Sequence, residues 1–263
     1  MQISGSRVLL TGASGGLGGA IARDLAARGA QLILTARRME ILAPLAAELG
    51  AQALAVDLAD PAAAERLPAA AGEVDILIAN AALPGAGALS SFSVAEIDRT
   101  IAVNLRAPIV LARLLAPEMA RRERGHLLFM SSLSGKASSA GASLYNATKY
   151  GLRGFAGSLR AELRGSGVGV SAIFPGFISD AGMFAQSGVR LPAGVGTRTP
   201  RHVTRAVAGA IERNRGEVDV APPLLRAGTL FAGVAPELAA RLATLLGSHR
   251  VAAEYERGHA HRR

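Results

Sequence analysis

An apolar strand, a glycine-rich turn and a helix occupy the first thirty residues, and this order restricts the fold more than any other feature. Residues 7–10 read Arg-Val-Leu-Leu, and five of the nine residues 11–19 are glycine. A helix patterned with Ala, Ile and Leu is predicted from about Gly16 to Arg28, with Gly29 as its C-terminal cap. Glycines allow the backbone to turn tightly and to approach a pyrophosphate, which lies at the helix N-terminus in such units. The order predicts a dinucleotide-binding unit rather than an ordinary loop of a glycine-rich protein.

Further apolar runs alternate with helical segments along the rest of the chain. They predict strands at residues 31–35, 53–56, 75–79, 126–130, 168–174 and 217–220. This alternation predicts an α/β fold with a doubly wound, Rossmann-like parallel sheet, and 263 residues suit a single domain of that kind. We expect residues 1–221 to form the dinucleotide-binding and catalytic domain. Residues 222–263 are expected to add a C-terminal helical extension and a basic tail to the same domain.

The residues after the second predicted strand bear on the choice of cofactor. A protein that binds NAD usually has an acidic residue here, which holds the ribose 2′-hydroxyl. This chain has Arg37 and Arg38 instead, and the first acid is Glu40. Two guanidiniums suit the 2′-phosphate of NADP because each can donate a pair of hydrogen bonds. The pattern favours NADP and leaves NAD possible, and the alternative is that both are ordinary surface arginines.

Lysine is nearly absent from the chain. Of the 29 basic residues only Lys136 and Lys149 are lysines, and Lys149 follows Tyr145, one of three tyrosines, by four positions. On a helix this spacing places both side chains on one face. A nearby ammonium favours the phenolate and lowers the pKa of tyrosine from its usual value of about 10. The pair is therefore a candidate proton donor and acceptor, with the tyrosine pKa predicted to be lowered.

Several motifs in order complete the pattern. They are Thr11-Gly-x-x-x-Gly-x-Gly18, Asn80-Ala81-Ala82, Asn104, Ser132 at 13 residues before Tyr145, Tyr145-x-x-x-Lys149 and Pro175-Gly176. Together they resemble the classical short-chain dehydrogenase/reductase family over about residues 6–221. Two positions depart from the family pattern. Ala82 replaces a glycine, and Asp180 stands where a threonine often contacts the nicotinamide carboxamide.

The resemblance implies the roles of individual residues. Tyr145 would exchange a proton with the substrate oxygen, Ser132 would orient that oxygen, Lys149 would hold the nicotinamide ribose, and Asn104 would anchor a water in a proton relay. Ser132 is preferred to Ser131 and Ser134 for its spacing from Tyr145. The cofactor-binding residues that the resemblance implies are Gly12, Ser14, Gly16, Leu17, Gly18, Arg37, Arg38, Asp57, Leu58, Asn80, Ala81, Tyr145, Lys149, Pro175, Gly176 and Ile178.

The substrate pocket is expected beyond the carboxyl ends of the strands. Its candidate walls are residues 83–89, 133–144 and 177–191, and the last segment has the glycines and apolar residues of a mobile lid. Only Lys136, Asp180 and Arg190 carry charge in these stretches. An apolar carbonyl compound or secondary alcohol is therefore the expected substrate, although the same residues could simply pack the loops onto the core.

Composition excludes several other classes. The chain has no cysteine, which excludes disulfides and thiolate sites, and no metal site is expected. The N-terminus has no signal-peptide pattern and no apolar run reaches membrane-spanning length, so a cytoplasmic location is expected. The net charge is +9, but the arginines are scattered and aromatic residues make up 4% of the chain, which argues against a nucleic-acid partner.

Two interpretations of the whole chain remain open at the sequence level. The first is an NADP(H)-dependent oxidoreductase, which forms a homodimer or homotetramer and transfers hydride between the cofactor and a carbonyl or secondary alcohol. The alternative is a non-catalytic dinucleotide-binding regulator, since fold alone does not give function. The complete set of catalytic motifs favours the enzyme. Residues 222–246 read as two short amphipathic helices, which are expected to cover the substrate or contact a second subunit in preference to a membrane surface.

Overall fold

A seven-stranded, fully parallel sheet forms the centre of the molecule, as the computed structural model of residues 1–187, 189, 191 and 195–245 describes it. Its strand order is β3-β2-β1-β4-β5-β6-β7. The strands are β1 (Arg7–Thr11), β2 (Gln31–Ala36), β3 (Gln52–Ala55), β4 (Ile76–Ala79), β5 (Gly125–Met130), β6 (Val168–Pro175) and β7 (Glu217–Val220). The predicted doubly wound α/β fold is confirmed.

Helices cover both faces of this sheet. They are α1 (Gly16–Ala27), α2 (Met39–Leu49), α3 (Pro61–Ala71), α4 (Val94–Ile101), α5 (Ala107–Arg121), α6 (Ser143–Glu162), α7 (Gly182–Ser187), α8 (Pro200–Arg213), α9 (Pro223–Val234) and α10 (Pro236–Leu245). Helices α3, α5 and α6 contribute to one apolar core, whereas α1, α2 and α8 contribute to the other. The strands are buried on both faces, which explains their nearly continuous apolar sequences.

The position of β1 determines where a ligand can bind. The chain winds outward from β1 to β2 and β3, and then returns to place β4 on the other side of β1. A crevice opens at such a reversal beyond the carboxyl ends of the strands. The residues that follow β1, β4, β5 and β6 therefore meet at one edge of the sheet.

One long helix crosses the face of the sheet between β4 and β5. A capping box between Ser93 and Glu96 begins α4, and a five-residue π-helical turn, Ala102–Arg106, joins it to α5. The continuous stretch Val94–Arg121 is long and apolar enough to cross a membrane, but half of its apolar window is buried inside the protein. This burial is what a core helix requires.

The two predicted C-terminal helices are present as α9 and α10. In α9, Thr229 is buried and Leu225 packs against the core, whereas Leu224 and Val234 are exposed. The leucines predicted to share one face of α10 include Leu238 and Leu242, and both are exposed. The side chain of Leu245, Leu246, and the tail with Arg250, Arg257, Arg262, Arg263 and its three histidines lie outside the described residues.

Candidate active site

The glycine-rich turn after β1 leaves no room for a side chain at Gly12 or Gly18. Gly12 has φ of 69°, and a Cβ placed on it would lie 2.7 Å from Cα of Ala81. A Cβ on Gly18 would collide with the carbonyl of Gly12. Gly15 precedes α1 without a side-chain cap, so the first helical N–H groups have no capping side chain. This backbone cradle at a helix N-terminus, with Ser14, Gly16 and Leu17 partly open to solvent, fits the pyrophosphate of a dinucleotide.

Hydrogen bonds join the end of β4 to this turn. The backbone N–H groups of Asn80 and Ala81 donate to the Thr11 hydroxyl at 3.0 and 3.1 Å. The side-chain amide of Asn80 donates to the carbonyls of Thr11 and Gly12 at 3.1 and 3.3 Å. The segment 80–82 is thereby fixed beside the glycines, as expected for two strands that meet at the reversal.

The ends of β2 and β3 carry the residues expected near the adenosine end of the cofactor. Arg37 and Arg38 are exposed directly after β2, and Leu58 is buried after β3. Asp57 forms an ion pair with Arg99 at 2.9 Å. Burial alone would raise the pKa of Asp57, but hydrogen bonds from Ala59 N–H and Arg99, together with the charge of Arg37, lower it. Arg37 is therefore close enough to act electrostatically on this edge of the sheet.

Asn104 lies in the π-helical turn and is buried. Its Oδ1 accepts from the backbone N–H of Leu83 at 2.7 Å, and its Nδ2 donates to the Leu83 carbonyl at 2.9 Å. Nδ2 also lies 3.5 Å from the hydroxyl of Thr148 on α6. The side chain thus fastens the loop after β4 to the helix that carries Tyr145, and the water contact expected of Asn104 stays a prediction.

The serines that follow β5 have different hydrogen-bond partners. Ser131 is buried and donates to the carbonyl of Lys149 at 3.1 Å. The hydroxyl of Ser132 accepts from the N–H of Ser134 at 3.1 Å and lies close enough to Tyr145 to exert a lowering effect on the pKa of its phenol. It also lies 3.4 Å from the carbonyl of Pro175 at the end of β6. Of the candidate serines, Ser132 is thus the one paired with the tyrosine.

Tyr145 and Lys149 lie on the first two turns of α6. The ammonium of Lys149 donates to the Met130 carbonyl at 2.9 Å and lies 5.5 Å from the centroid of the Tyr145 ring. The lysine is only 2% exposed, and burial lowers its pKa to about 8. Burial also raises the pKa of Tyr145 to about 12, against the lowering effect of the Ser132 hydrogen bond.

The predicted lowering of the tyrosine pKa is therefore wrong for the protein without bound cofactor. The prediction used the charge of Lys149 alone. In the fold the loss of hydration around the phenol raises the pKa of Tyr145 and outweighs the lowering effect of Ser132.

Two of the three expected pocket walls meet beside Tyr145. A Cβ on Gly85 would lie 2.9 Å from the Tyr145 backbone nitrogen, and Gly87 N–H donates to the Gly141 carbonyl at 2.7 Å. In the third wall, the rings of Phe177 and Phe184 are 4.9 Å apart. The first two walls are thus adjacent at the start of α6.

The third wall also reaches the cofactor cradle. A Cβ on Gly16 would lie 3.2 Å from the Cβ of Ala181. The neighbouring Asp180 has φ of 65° and accepts a hydrogen bond from the Ser179 hydroxyl at 2.8 Å. Pro175 ends β6, and Gly176 follows it directly before this wall. Ile178 is buried in the wall, and Arg190 lies outside the described residues.

Lys136 does not line the pocket as the sequence indicated. Its ammonium is 2.6 Å from Asp219 and 2.8 Å from Glu217, both on β7. The sequence gives no sign of this pairing because the partners are more than 80 positions away. The sequence also gives no sign that Lys149 donates to the backbone carbonyl of Met130, because any residue type has such a carbonyl. Thr11, in contrast, is the first residue of the glycine motif and was identified from the sequence.

Comparison with known proteins gives the family. A family model described as short chain dehydrogenase matches residues 6–190. The chain belongs to the short-chain dehydrogenase family. Ketoacyl reductase HetN from Nostoc sp. strain PCC 7120 is 37% identical over 227 residues, covering 83% of this chain and 79% of the relative. Dehydrogenase/reductase SDR family member 7B from Bos taurus is 32% identical over 260 residues, covering 89% of this chain and 79% of the relative.

Solved structures of this family share the fold. A short-chain dehydrogenase from Sphingobium yanoikuyae in complex with NADPH has a TM-score of 0.76 at 30% identity, covering 89% of this chain and 94% of that one. A metagenomic short-chain oxidoreductase in complex with NADP has a TM-score of 0.70 at 34% identity, covering 84% and 99%. The chain is accordingly a short-chain dehydrogenase/reductase, an oxidoreductase that uses a nicotinamide cofactor on CH–OH groups.

Proposed function

We propose that this chain is an NADPH-dependent reductase of apolar aldehydes or ketones, which also oxidises the corresponding secondary alcohols. The observation that carries the proposal is the proximity of Ser132 to Tyr145, with the buried ammonium of Lys149 behind them. This trio lies at the same edge of the sheet as the glycine cradle. A site for proton exchange beside a dinucleotide site is the arrangement that hydride transfer needs.

Each side chain has a distinct task in this mechanism. The cofactor supplies or accepts hydride at nicotinamide C4. The Ser132 hydroxyl donates to the substrate carbonyl oxygen and holds it beside Tyr145. Tyr145 then gives its proton to that oxygen, and in the alcohol-oxidising direction it takes a proton back.

Lys149 supports the tyrosine through position and charge. One ammonium proton is used by the Met130 carbonyl, which leaves two donors for the cofactor ribose hydroxyls. As Tyr145 loses its proton, the nearby positive charge stabilises the developing phenolate. Asn80 and Ala81, held by Thr11, would present their backbone to the cofactor.

The preference for NADPH rests on the exposed arginines after β2. Arg37 and Arg38 offer bidentate donors to a 2′-phosphate, and the nearest acid along the chain, Glu40, belongs to α2. Two of the solved relatives are complexes with NADPH or NADP, which agrees with this proposal.

The apolar substrate class rests on the pocket walls. Ala86, Leu133 and Leu144 are buried apolar residues of these walls, and Lys136 is withdrawn into ion pairs with β7. One relative is named a ketoacyl reductase, so a β-ketoacyl thioester belongs in any substrate panel beside simple ketones.

We further propose that the protein is a homodimer or homotetramer and that residues 222–263 belong to the catalytic domain. Leu225 of α9 supports the second point, because a Cβ on Gly176 would lie 3.1 Å from its Cδ2 and 3.2 Å from Leu133. Helix α9 therefore packs beside the end of β6 and the segment that follows Ser132.

The test is a panel of aldehydes, ketones and alcohols with purified protein, followed by the absorbance of the reduced cofactor. We expect turnover with NADPH, and the Tyr145→Phe variant should lose it by about 10³-fold or more while cofactor binding stays nearly unchanged. Tight NADPH binding without turnover of any compound would instead support the regulator. Parental activity in Tyr145→Phe would show that another group is the acid.

A further inference from the structure

Lys136, the second of the two lysines, is buried close to the catalytic serine, and the mechanism above does not use it. It is 9% exposed, and its ammonium lies 2.6 Å from Oδ1 of Asp219 and 2.8 Å from Oε2 of Glu217. In a chain that otherwise uses arginine for positive charge, a lysine at this position indicates a need for a compact cation.

The surroundings of the ammonium explain that need. Phe174 on β6 is in register with Asp219 on β7, so the two side chains share one face of the sheet. Glu217 lies two residues before Asp219 and shares this face as well. The Lys136 ammonium sits 4.0 Å from the centroid of the Phe174 ring, an attractive cation–π distance. The Lys136 ammonium is therefore surrounded by two carboxylates and the face of an aromatic ring.

One of these carboxylates, that of Glu217, also binds the helix that carries Tyr145. Arg153 of α6 donates to the two oxygens of Glu217 at 2.7 and 3.3 Å, and its guanidinium lies 5.9 Å from the Phe174 ring. We call these residues the β7 cluster: Lys136, Arg153, Phe174, Glu217 and Asp219. With two cations and two carboxylates it is neutral overall. It connects the segment after Ser132 and the helix of Tyr145 to one edge strand.

A short path leads from Lys136 to the reacting hydroxyls. Residues Leu133–Gly135 form a 3₁₀ turn that the Ser132 hydroxyl caps and that Lys136 ends. A Cβ on Gly135 would lie 2.6 Å from the carbonyl oxygen of Lys149, so the turn rests directly on the α6 backbone. A shift of the turn at its Lys136 end therefore moves Ser132 relative to Tyr145.

We propose that Lys136 is a positioning residue, whose ion pairs with Asp219 and Glu217 fix the turn after β5 and hold the Ser132 hydroxyl in hydrogen-bonding reach of Tyr145. This inference rests on the proposed roles of Ser132 and Tyr145. Strand β7 contributes none of the proposed catalytic residues. In this proposal it nevertheless helps to align the reacting groups.

The test compares Lys136→Met with a matched control, Arg122→Met. Arg122 is a partly buried cation, with a side chain 17% exposed, and it is paired with Glu73 and Asp75. It lies near the amino end of the central strand β4, away from the turn that follows Ser132. Both variants lose a cation from a pair of carboxylates, and only one of them loses it beside the catalytic turn.

We expect Lys136→Met to lower kcat by about tenfold or more with the KM for NADPH changed less than about twofold, because misplacement of reacting groups acts on the chemical step. The pH at which alcohol oxidation reaches half of its maximum should rise, because the Ser132 hydrogen bond lowers the pKa of Tyr145. Arg122→Met should lower Tm and leave kcat and this pH profile at parental values.

A second variant, Asp219→Asn, keeps the shape of the cluster and removes one charge, so it covers the case in which Lys136→Met does not fold. It should shift the pH profile in the same direction by a smaller amount. A parental kcat and pH profile in either folded variant would overturn the inference. Tyr145→Phe, measured in parallel, distinguishes a failure of the proposed function from a failure of the proposed role of Lys136. If it remains active, the proposed acid is wrong; if it is inactive while Lys136→Met is parental, only the role of Lys136 fails.

Discussion

Burial moves the pKa values of Tyr145 and Lys149 in opposite directions. The pKa of Tyr145 is raised to about 12 and that of Lys149 is lowered to about 8, because both charged forms lose hydration. Near neutral pH, Tyr145 therefore carries its proton and Lys149 is mainly charged. This protonation state suits carbonyl reduction, whereas alcohol oxidation should be favoured as the pH rises.

The lowered pKa of Lys149 predicts a conflict between stability and activity. Below pH 8 the lysine is charged in both the folded and unfolded protein, and a shift from 10.5 to about 8 costs on the order of 3 kcal/mol. Between pH 8 and 10.5 the folded protein binds fewer protons than the unfolded one, so this cost declines. Lys149→Met should lose activity and yet raise the free energy of unfolding at pH 7.

Urea unfolding at pH 7 and pH 9.5 provides the measurement. The stability advantage of Lys149→Met at pH 9.5 should be less than half of that at pH 7. An advantage that does not change with pH would show that the burial cost of the ammonium is not its origin.

Arg37 should determine the choice of cofactor. Arg37→Asp replaces a donor for the 2′-phosphate with an acceptor for the ribose 2′-hydroxyl. The parent should prefer NADPH over NADH by about tenfold or more in kcat/KM, about 1.4 kcal/mol, and the variant should move toward NADH. Equal use of the two cofactors by the parent would contradict this expectation, and Arg66→Asp in α3 serves as a control for the loss of surface charge.

Sequence patterns identified individual residues that lie a short way apart in the sequence. The sequence separation of Ser132 from Tyr145 and the helical spacing from Tyr145 to Lys149 are examples. Patterns failed where distant segments meet, as for Lys136 and Asp219. They also failed for the Tyr145 pKa, because the degree of burial is a property of the assembled fold.

At the scale of elements, the π-helical turn between α4 and α5 is the least regular part of the described helices. It lets one side chain, that of Asn104, bond both backbone groups of Leu83. The sequence gives no sign of this turn, because the extra residue in a π-helical turn has no compositional signature.

Asn104→Leu should therefore destabilise the protein and reduce its activity. The change leaves the N–H and C=O of Leu83 without the amide, at a cost of about 1–3 kcal/mol for each buried group that stays unpaired. Urea unfolding with a cofactor titration would measure both effects. The exposed Asn214, which ends α8, gives the control Asn214→Gly; it keeps the left-handed backbone and should cost much less. A stability of Asn104→Leu equal to the parent would show that water replaces the amide.

The larger elements followed closely from the sequence. The seven strands, the glycine turn, the first helix and the two C-terminal helices were predicted, with boundaries that differ by one or two residues. Strand β3 illustrates the difference, since it ends at Ala55 although Val56 still donates to the carbonyl of Ala36. Apolar periodicity determines which face is buried, and it leaves the last hydrogen bond of an element undetermined.

At the scale of the whole molecule, the C-terminal helices expose several large apolar side chains. Leu224 is 71% exposed and Val234 is 87% exposed on α9, and Leu238 is exposed on α10. A stop codon after Ala221 removes all three together with the basic tail. We expect the truncated protein to lose subunit association or activity, which size-exclusion chromatography and the carbonyl assay would measure. Sedimentation of only the full-length protein with anionic liposomes, with assembly and activity unchanged by truncation, would favour a membrane surface instead.

The burial of both lysines makes acylation of their amines a reporter of unfolding. With side chains 2% and 9% exposed, Lys149 and Lys136 are shielded from amine-directed esters in the native state, and both sit within the catalytic half of the sheet. A peptide map after brief treatment should therefore find these two amines unmodified until that region opens. Labelling at Lys136 and Lys149 as urea increases would then follow the opening of the active centre itself, with no engineered probe.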